Sequence, residues 1–272
     1  MIVLELKAAL DFNLDLTRVT PSVLAGLKLS EVKRFGLQYG RDAVRLADLF
    51  TVSGTPDLEL RIEAASIRLH NIGAGLAQGV IQVSGRCGDG LGTQMTGGEI
   101  HVRGDARHLV GAGMLGGVID ITGHAGDFVG GGIPGAVAGM KGGTVIIGKS
   151  AGARVGDRMR RGLIVIGGNA GAYCASQMIA GTVAVLGTVG GDSATAMHRG
   201  SLLVREADAL SLPETFVDTG RYELAFVPVL LAHIARFKPA FKARLRAFTS
   251  SQRWVGDRGC GGTGEVLLAR AA

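Results

Sequence analysis

The stretch GTVIIGKS, residues 143–150, satisfies the G-x-x-x-x-G-K-[ST] pattern of a phosphate-binding loop, with Gly143, Gly148, Lys149 and Ser150 in the required places. In that chemistry, backbone N–H groups cradle the phosphates, the lysine reaches the terminal ones and the hydroxyl meets magnesium. The loop must leave a strand and open a helix. Gly111, Gly113 and Gly116 spell G-x-G-x-x-G, the dinucleotide fingerprint. His101 and Asp120 have the side chains of an acid–base pair, and His124 stands beside Gly123. Cys87, Cys174 and Cys260 form no CxxC pair, so neither a disulfide framework nor a thiolate metal centre is indicated.

The surrounding elements decide among these readings, and they come from a repeat. Short β-branched runs begin at Gly79, Gly98, Gly117, Gly143, Gly162, Gly181 and Gly200, spaced 19, 19, 26, 19, 19 and 19 residues apart. The 26 is one 19-residue unit plus seven inserted residues near GGIPGAV, residues 131–137. A methionine stands three residues before six of those glycines, at Met95, Met114, Met140, Met159, Met178 and Met197. Nineteen residues are too few for a helical pair and suit three short strands and three corners. The expected fold is an all-β core, a right-handed parallel β-helix of about seven turns of 19 residues, with a small N-terminal α+β cap and C-terminal helices.

Within each unit the third and fifth positions are apolar, as in Ile100 and Val102 or Ile164 and Ile166, and alternation turns both inward. A second inward file reads Leu91, Val110, Val129, Val155 and Cys174; the corners follow G-x-x-G-x-x-x-G, as in Gly85, Gly88 and Gly92. GTVIIGKS occupies the same register as GLIVIGGN one turn later, so TVII is a strand and Lys149 and Ser150 are corner residues. Gly111, Gly113 and Gly116 fall in another corner with no βαβ unit around them. Neither motif is expected to bind a nucleotide.

Two surface features remain. The outward fourth position reads Gln82, His101 and Asp120, then Ile146, Val165, Ala184 and Leu203. With Leu163 the later residues make an external apolar stripe that should be covered, either by the C-terminal helices or as a partner interface. Lys141, Arg158, Arg160, Arg161, His198 and Arg199 occupy corner positions on neighbouring turns and form a basic edge, a solvated face or an anion-meeting one. His101 and Asp120 are stacked neighbours able to hydrogen-bond, and Cys174 and the methionines read as core. No complete active site is visible.

Composition bounds the rest. With 45 glycines in 272 residues but 47% hydrophobic and 19% charged residues, the chain is neither collagenous nor disordered. The net charge of +6 is scattered, with three Tyr and one Trp for stacking, so nucleic-acid binding is not expected. Residues 162–191 carry no charge, but eight glycines make them a soluble repeat rather than a membrane span. MIVLELKAAL carries Glu5 in its apolar run and no cleavage signature, so a cytoplasmic chain is expected. Three segments follow: 1–59 as cap, 60–206 as β-helix and 207–272 as helices and tail. The cap should contain a strand or hairpin in VLELKAALDFNLDLT, a helix beginning at Thr20–Pro21 and a short helix or turn in RDAVRLADLF. AFVPVLLAHIARF and PAFKARLRAF read as amphipathic helices.

These repeats resemble the β-helical domain of the large subunit of glutamate synthase. More extensively, LADLFTVSG, GAGMLGGVIDITGHAGDFVG, GGIPGAVAGMKGGTVIIG, LPETF and RWVGDRGCGGTGEVLLA resemble the C subunit of the formylmethanofuran dehydrogenase family. The resemblance implies a non-catalytic subunit that binds no cofactor itself. Its implied partners are an amidohydrolase-like subunit with a metal site, a molybdenum- or tungsten-enzyme-like subunit and a formyltransferase. A methanofuran-type carrier with a glutamate tail is implied for the complex, and Lys141, Arg158, Arg160, Arg161 and Arg199 are candidates to meet it. Two versions of the family exist: a methanogen type that reduces carbon dioxide, and a formyltransferase/hydrolase type in methylotrophic bacteria that releases formate. With 22 Arg against 7 Lys, the composition favours the second, since thermophiles tend to Lys and Glu. A stand-alone polysaccharide-active β-helix would need carboxylates or aromatics along an open groove, where this outward file turns apolar.

Overall fold

In the computed structural model, described over residues 1–206 and 210–269, the seven glycine-led runs are strands. They are Val80–Gly85, Glu99–Arg103, Val118–Ile121, Lys141–Ile147, Arg161–Ile166, Thr182–Val185 and Ser201–Val204. Each pairs in parallel with the next, in a register that carries Ile81, Ile100, Ile119, Val145, Ile164, Val183 and Leu202 in one file. All seven are 0% exposed, as alternation requires of the inward position. Successive repeats meet twice more. Isolated parallel bridges join Cys87 to Ala106 and Ala125 through Ala151 and Ala170 to Val189. The N–H groups of Gly92, Gly111, Gly130 and Gly156 donate to the carbonyls of Ile72, Leu91, Val110 and Val129.

The seven strands lie within one mixed sheet of 13. Glu59–Ala65 and Ile2–Leu6 continue the parallel stack at one end, and Gly264–Ala269 continues it at the other. Antiparallel strands finish both edges: Phe50–Gly54 at the first, Ser251–Gly256 and then Val217–Tyr222 at the second. One core runs from Ile2 to Val266. The mostly-β expectation therefore holds: one large mixed sheet with few helices.

The period has a packing cause. The file of methionines is fully buried, and the thioether methyls of its first five members reach under the strand-opening glycine of the following turn. A Cβ at Gly117, Gly143, Gly162, Gly181 or Gly200 would stand 2.6–2.9 Å from the methyl of Met95, Met114, Met140, Met159 or Met178. These glycines also sit at φ of +87° to +110°, a region that L side chains rarely adopt. Met and Gly recur together because each makes room for the other. A second lock precedes it: Met95, Met114 and Met159 donate their N–H to the glycine carbonyl three residues earlier, at 3.1–3.2 Å. Met140 makes the same bond to Gly130, at 2.8 Å, across the seven inserted residues.

Outside the stack, Leu14–Asp15, Gly36–Tyr39, Asp42–Arg45 and Leu69–His70 form a second, four-stranded sheet with short helices at Pro21–Leu24, Leu29–Lys33 and Leu46–Leu49. Pro21 opens its helix as expected. RDAVRLADLF divides into a strand and a helical turn rather than forming one element. Phe226–Phe237 is a helix of 12 residues. PAFKARLRAF is not one helix: a four-residue helix, Lys242–Leu245, lies between 3-10 turns that begin at Pro239 and Arg246. No helix among the described residues is long and apolar enough to cross a membrane.

Candidate functional site

The outer face of the large sheet has two halves. On the early strands Arg61, Gln82, His101 and Asp120 stand in register. Together with Glu63 and Arg103 they line a polar groove of about 350 Å³. On the later strands Ile146, Val165, Ala184 and Leu203 follow in the same file and are 0% exposed, with Leu163 at 6%. Of the two covers expected for the stripe, the C-terminal segment and not a partner interface is the one present. Val227, Leu231 and Ile234 of the long helix, with Phe241, Leu245 and Phe248 after it, form a single apolar cluster with it. A continuous row of aliphatic side chains on a sheet face is removed from water here by an amphipathic segment of the same chain. Arg244 caps this cover by donating to the carbonyls of Gly167 and Leu186.

At the boundary, Lys238 ends the long helix and its Nζ meets both oxygens of Asp120, at 2.7 and 2.9 Å. His101 turns to Glu99, Nε2 to Oε2 2.9 Å, instead of to Asp120. The two residues are register partners, but their side chains are held apart by these other contacts, so the expected hydrogen bond does not form.

Six other His and Asp residues of the repeats hold its corners, which the repeat spacing alone could have disclosed. His70, Asp89, His108 and Asp127 follow one another at 19-residue intervals, and each side chain accepts an N–H from the next turn. The acceptors are Nδ1 of His70 and His108 and Oδ1 of Asp89 and Asp127, the last receiving Ala153 N–H at 2.8 Å. A parallel file runs through Asp105, His124, Ser150 and Asn169, where His124 Nδ1 accepts from Ser150 N–H at 3.3 Å. In both files an imidazole takes the place of a carboxylate as acceptor.

The phosphate-loop pattern is settled by its donors. Residues 143–147 lie in the strand Lys141–Ile147, and the next two N–H groups, of Gly148 and Lys149, go to Ile121 and Gly123 carbonyls at 2.7 and 3.0 Å. Gly111, Gly113 and Gly116 likewise direct their N–H groups to Leu91, Gly131 and Met95 carbonyls. No cradle is left open in either. Cys87 and Cys174 are buried, and burial pushes both thiols up to about 12. Cys260 is half-buried, and all three are free thiols.

The basic edge is shorter than the sequence suggests. Lys141, Arg160 and Arg161 are exposed on adjoining turns, Lys141 in register with Arg161. Arg199 is exposed two turns further on, beyond the uncharged Ile179–Ala180. Arg158 belongs elsewhere. Its guanidinium binds buried Asp157, Nε to Oδ2 2.9 Å, and donates to the Ala136 carbonyl of the inserted segment at 2.9 Å. It shares a recess of about 500 Å³ with Leu109, Phe128, Ile133 and Pro134. On the other side of Asp157, Arg154 lies between the Phe128 and Tyr173 rings, 5.8 and 4.8 Å from their centroids.

A parallel stack indexed by glycine and methionine, with His and Asp side chains engaged at its corners and both phosphate-binding patterns taken up in its strands and corners, defines a class of repeat protein. The chain belongs to the GXGXG motif family, whose match covers residues 62–219. It is homologous to the C subunit of the formyltransferase/hydrolase complex Fhc of Methylorubrum extorquens, 41% identical over 91 residues, which is 34% of each chain. It is 32% identical over 89 residues to the C subunit of the tungsten-containing formylmethanofuran dehydrogenase 2 of Methanothermobacter marburgensis, 31% of this chain and 33% of that one. The aligned stretches thus span about a third of these relatives' length. A chain in the crystal structure of the formyltransferase/hydrolase complex (FhcABCD) from Methylorubrum extorquens with methylofuran superposes with a TM-score of 0.92 at 38% identity. The match covers 99% of this chain and 100% of that one.

Proposed function

We propose that this chain is a structural subunit of a formyltransferase/hydrolase-type complex and contributes no covalent step to its reaction. The observation that carries the reading is the likeness, over both whole chains, to a chain of the FhcABCD structure. In this reading the complex passes a formyl group to a methanofuran-type carrier and releases formate in the cytoplasm. An amidohydrolase-like, a molybdo- or tungsto-enzyme-like and a formyltransferase subunit surround this one. The three contacts per repeat support a right-handed parallel β-helix across 60–206, with 1–59 as a cap and residues within 210–269 as its cover and last strands. The test is purification of the tagged chain from its own cells. Subunits matching the other three chains should come with it, and the chain alone should neither transfer nor hydrolyse formyl groups. Turnover by the isolated chain would overturn the assignment.

The exposed Lys141, Arg160 and Arg161, with Arg199 beyond, suit an anionic carrier tail approaching the edge. Each such contact is weak in water, so the effect belongs to the rate at low salt. Replacing Lys141, Arg160 and Arg161 by Ser should raise the KM for the carrier in the assembled complex, more at low ionic strength than at high. Unchanged carrier kinetics at low salt would remove the track. Arg158 is left in place because it anchors the inserted segment.

A further inference from the structure

We propose that the outward side of the helix Phe226–Phe237, together with the strand Val217–Tyr222 that leads into it, is where a partner subunit with an acidic rim docks. The proposal rests on reading the chain as one subunit of a multi-chain complex. The helix is apolar on two sides. Val227, Leu231 and Ile234 are buried against the sheet. Phe226, Val229 and Phe237 face away from it and are 42, 71 and 36% exposed. Exposed His233 stacks edge-on against Phe237 at 5.1 Å. A surface helix ordinarily turns polar residues to water on that side. Val217 and Tyr222, on the strand that leads into the helix, are exposed as well; that strand is the last of the 13, and its edge is partly engaged by its own side chains, Asp218 accepting the Gly220 N–H and the Tyr222 hydroxyl donating to the Thr219 carbonyl.

Charge identifies the kind of partner. Residues 226–249 carry Arg236, Lys238, Lys242, Arg244 and Arg246 and no Asp or Glu, while the strand and link before them add Arg221, Asp218, which Gly220 and Gln252 engage, and Glu223. Lys238 is taken by Asp120, and Arg244 by two carbonyls. Arg236, Lys242 and Arg246 are exposed and form no ion pair among the described residues. An apolar centre framed by unneutralised cations is complementary to an apolar surface rimmed by Asp and Glu. A basic, apolar helix can also lie on an anionic bilayer, but the chain this one superposes on sits in a multi-subunit complex, where the surface to be met is protein.

The experiment uses the tagged chain in its own cells, with co-purifying subunits identified by mass as counterparts of the other three FhcABCD chains. Val229→Asp, and separately Arg236→Glu/Lys242→Glu/Arg246→Glu, should cut the recovery of at least one of them tenfold or more. The far-UV circular dichroism and thermal transition of the variant chains should match wild type. Val229→Ser gives a smaller loss in the same direction and serves should the aspartate disturb folding. Undiminished recovery in folded variants overturns the proposal. So does wild-type binding to phosphatidylserine vesicles that Val229→Asp abolishes while assembly persists. If wild type itself recovers none of these subunits, the complex reading falls first, a result distinguishable from a variant-specific null.

Discussion

The two halves of the sheet's outer face share one parallel ladder, and differ chiefly in what the fourth position of each repeat carries, with Leu163 and Leu186 adding to the apolar half. Where it is Gln82, His101 and Asp120, the face stays open and polar; where it is Ile146, Val165, Ala184 and Leu203, the chain returns to cover it. The ladder of backbone bonds is indifferent to the choice. Outward side chains therefore decide which part of a regular stack acquires a second layer, and the stack itself is unaltered.

The most severe challenge to this contrast exchanges the character of one position in each half. Val165→Asp puts an unpaired carboxylate inside the outer cluster and should cost about 3–5 kcal/mol, read as a large fall in the thermal transition. His101→Asp in the open half should stay within about 0.5 kcal/mol of wild type. Equal losses would mean that the halves do not differ in burial.

Two acids refine it. At the covered end, burial acts to raise the Asp257 carboxyl, but hydrogen bonds from Thr215 and from the N–H groups of Ala196 and Gly259 outweigh it and hold the group below the usual carboxylate range. A lowered folded value means stability that is present above the unfolded value, about 3.9, and is lost as pH falls through the folded one. Asp257→Asn should cost about 1–3 kcal/mol at neutral pH and flatten the decline below pH 4, measured by urea unfolding against pH. Asp120, at the boundary, is held by Lys238 with both side chains about a fifth exposed. A double-mutant cycle on that pair should return about 1 kcal/mol, shrinking with salt.

The smallest effect separates acceptor from acid. His124→Asn keeps an acceptor for the Ser150 N–H and should be near neutral, whereas His124→Ala should lose about 0.5–1 kcal/mol. A catalytic histidine would tolerate neither replacement in activity, and here the assembled complex should keep its turnover with both.

Legibility follows distance along the chain. The strands, the inward files and the methionine column repeat every 19 residues, so the pattern exposes them, and the same period rejects the phosphate loop at Lys149. Ile2–Leu6 and Gly264–Ala269 also join the parallel stack, but they carry no glycine–methionine period to announce it. That something must cover Val165 can be read from its neighbours; that Ile234 and Phe248 do so depends on contacts far apart in sequence. Arg158 escapes the pattern for a related reason: its position in the repeat is that of a corner cation, while its partner, Asp157, is buried one residue away. The period puts His101 and Asp120 side by side, as they are, yet Lys238, 118 residues on, decides where Asp120 points.

The bond between the Gly130 carbonyl and the Met140 N–H makes the repeat behave like a ruled scale with a splice in it. Material can be spliced in between the two marks without moving any graduation beyond them, because the next turn is read from Met140 and not from the number of residues since the last. Lengthening or excising residues 131–137 should therefore leave every later strand in its place. Adding one residue between Met140 and Gly143 should put all the later strands out of step.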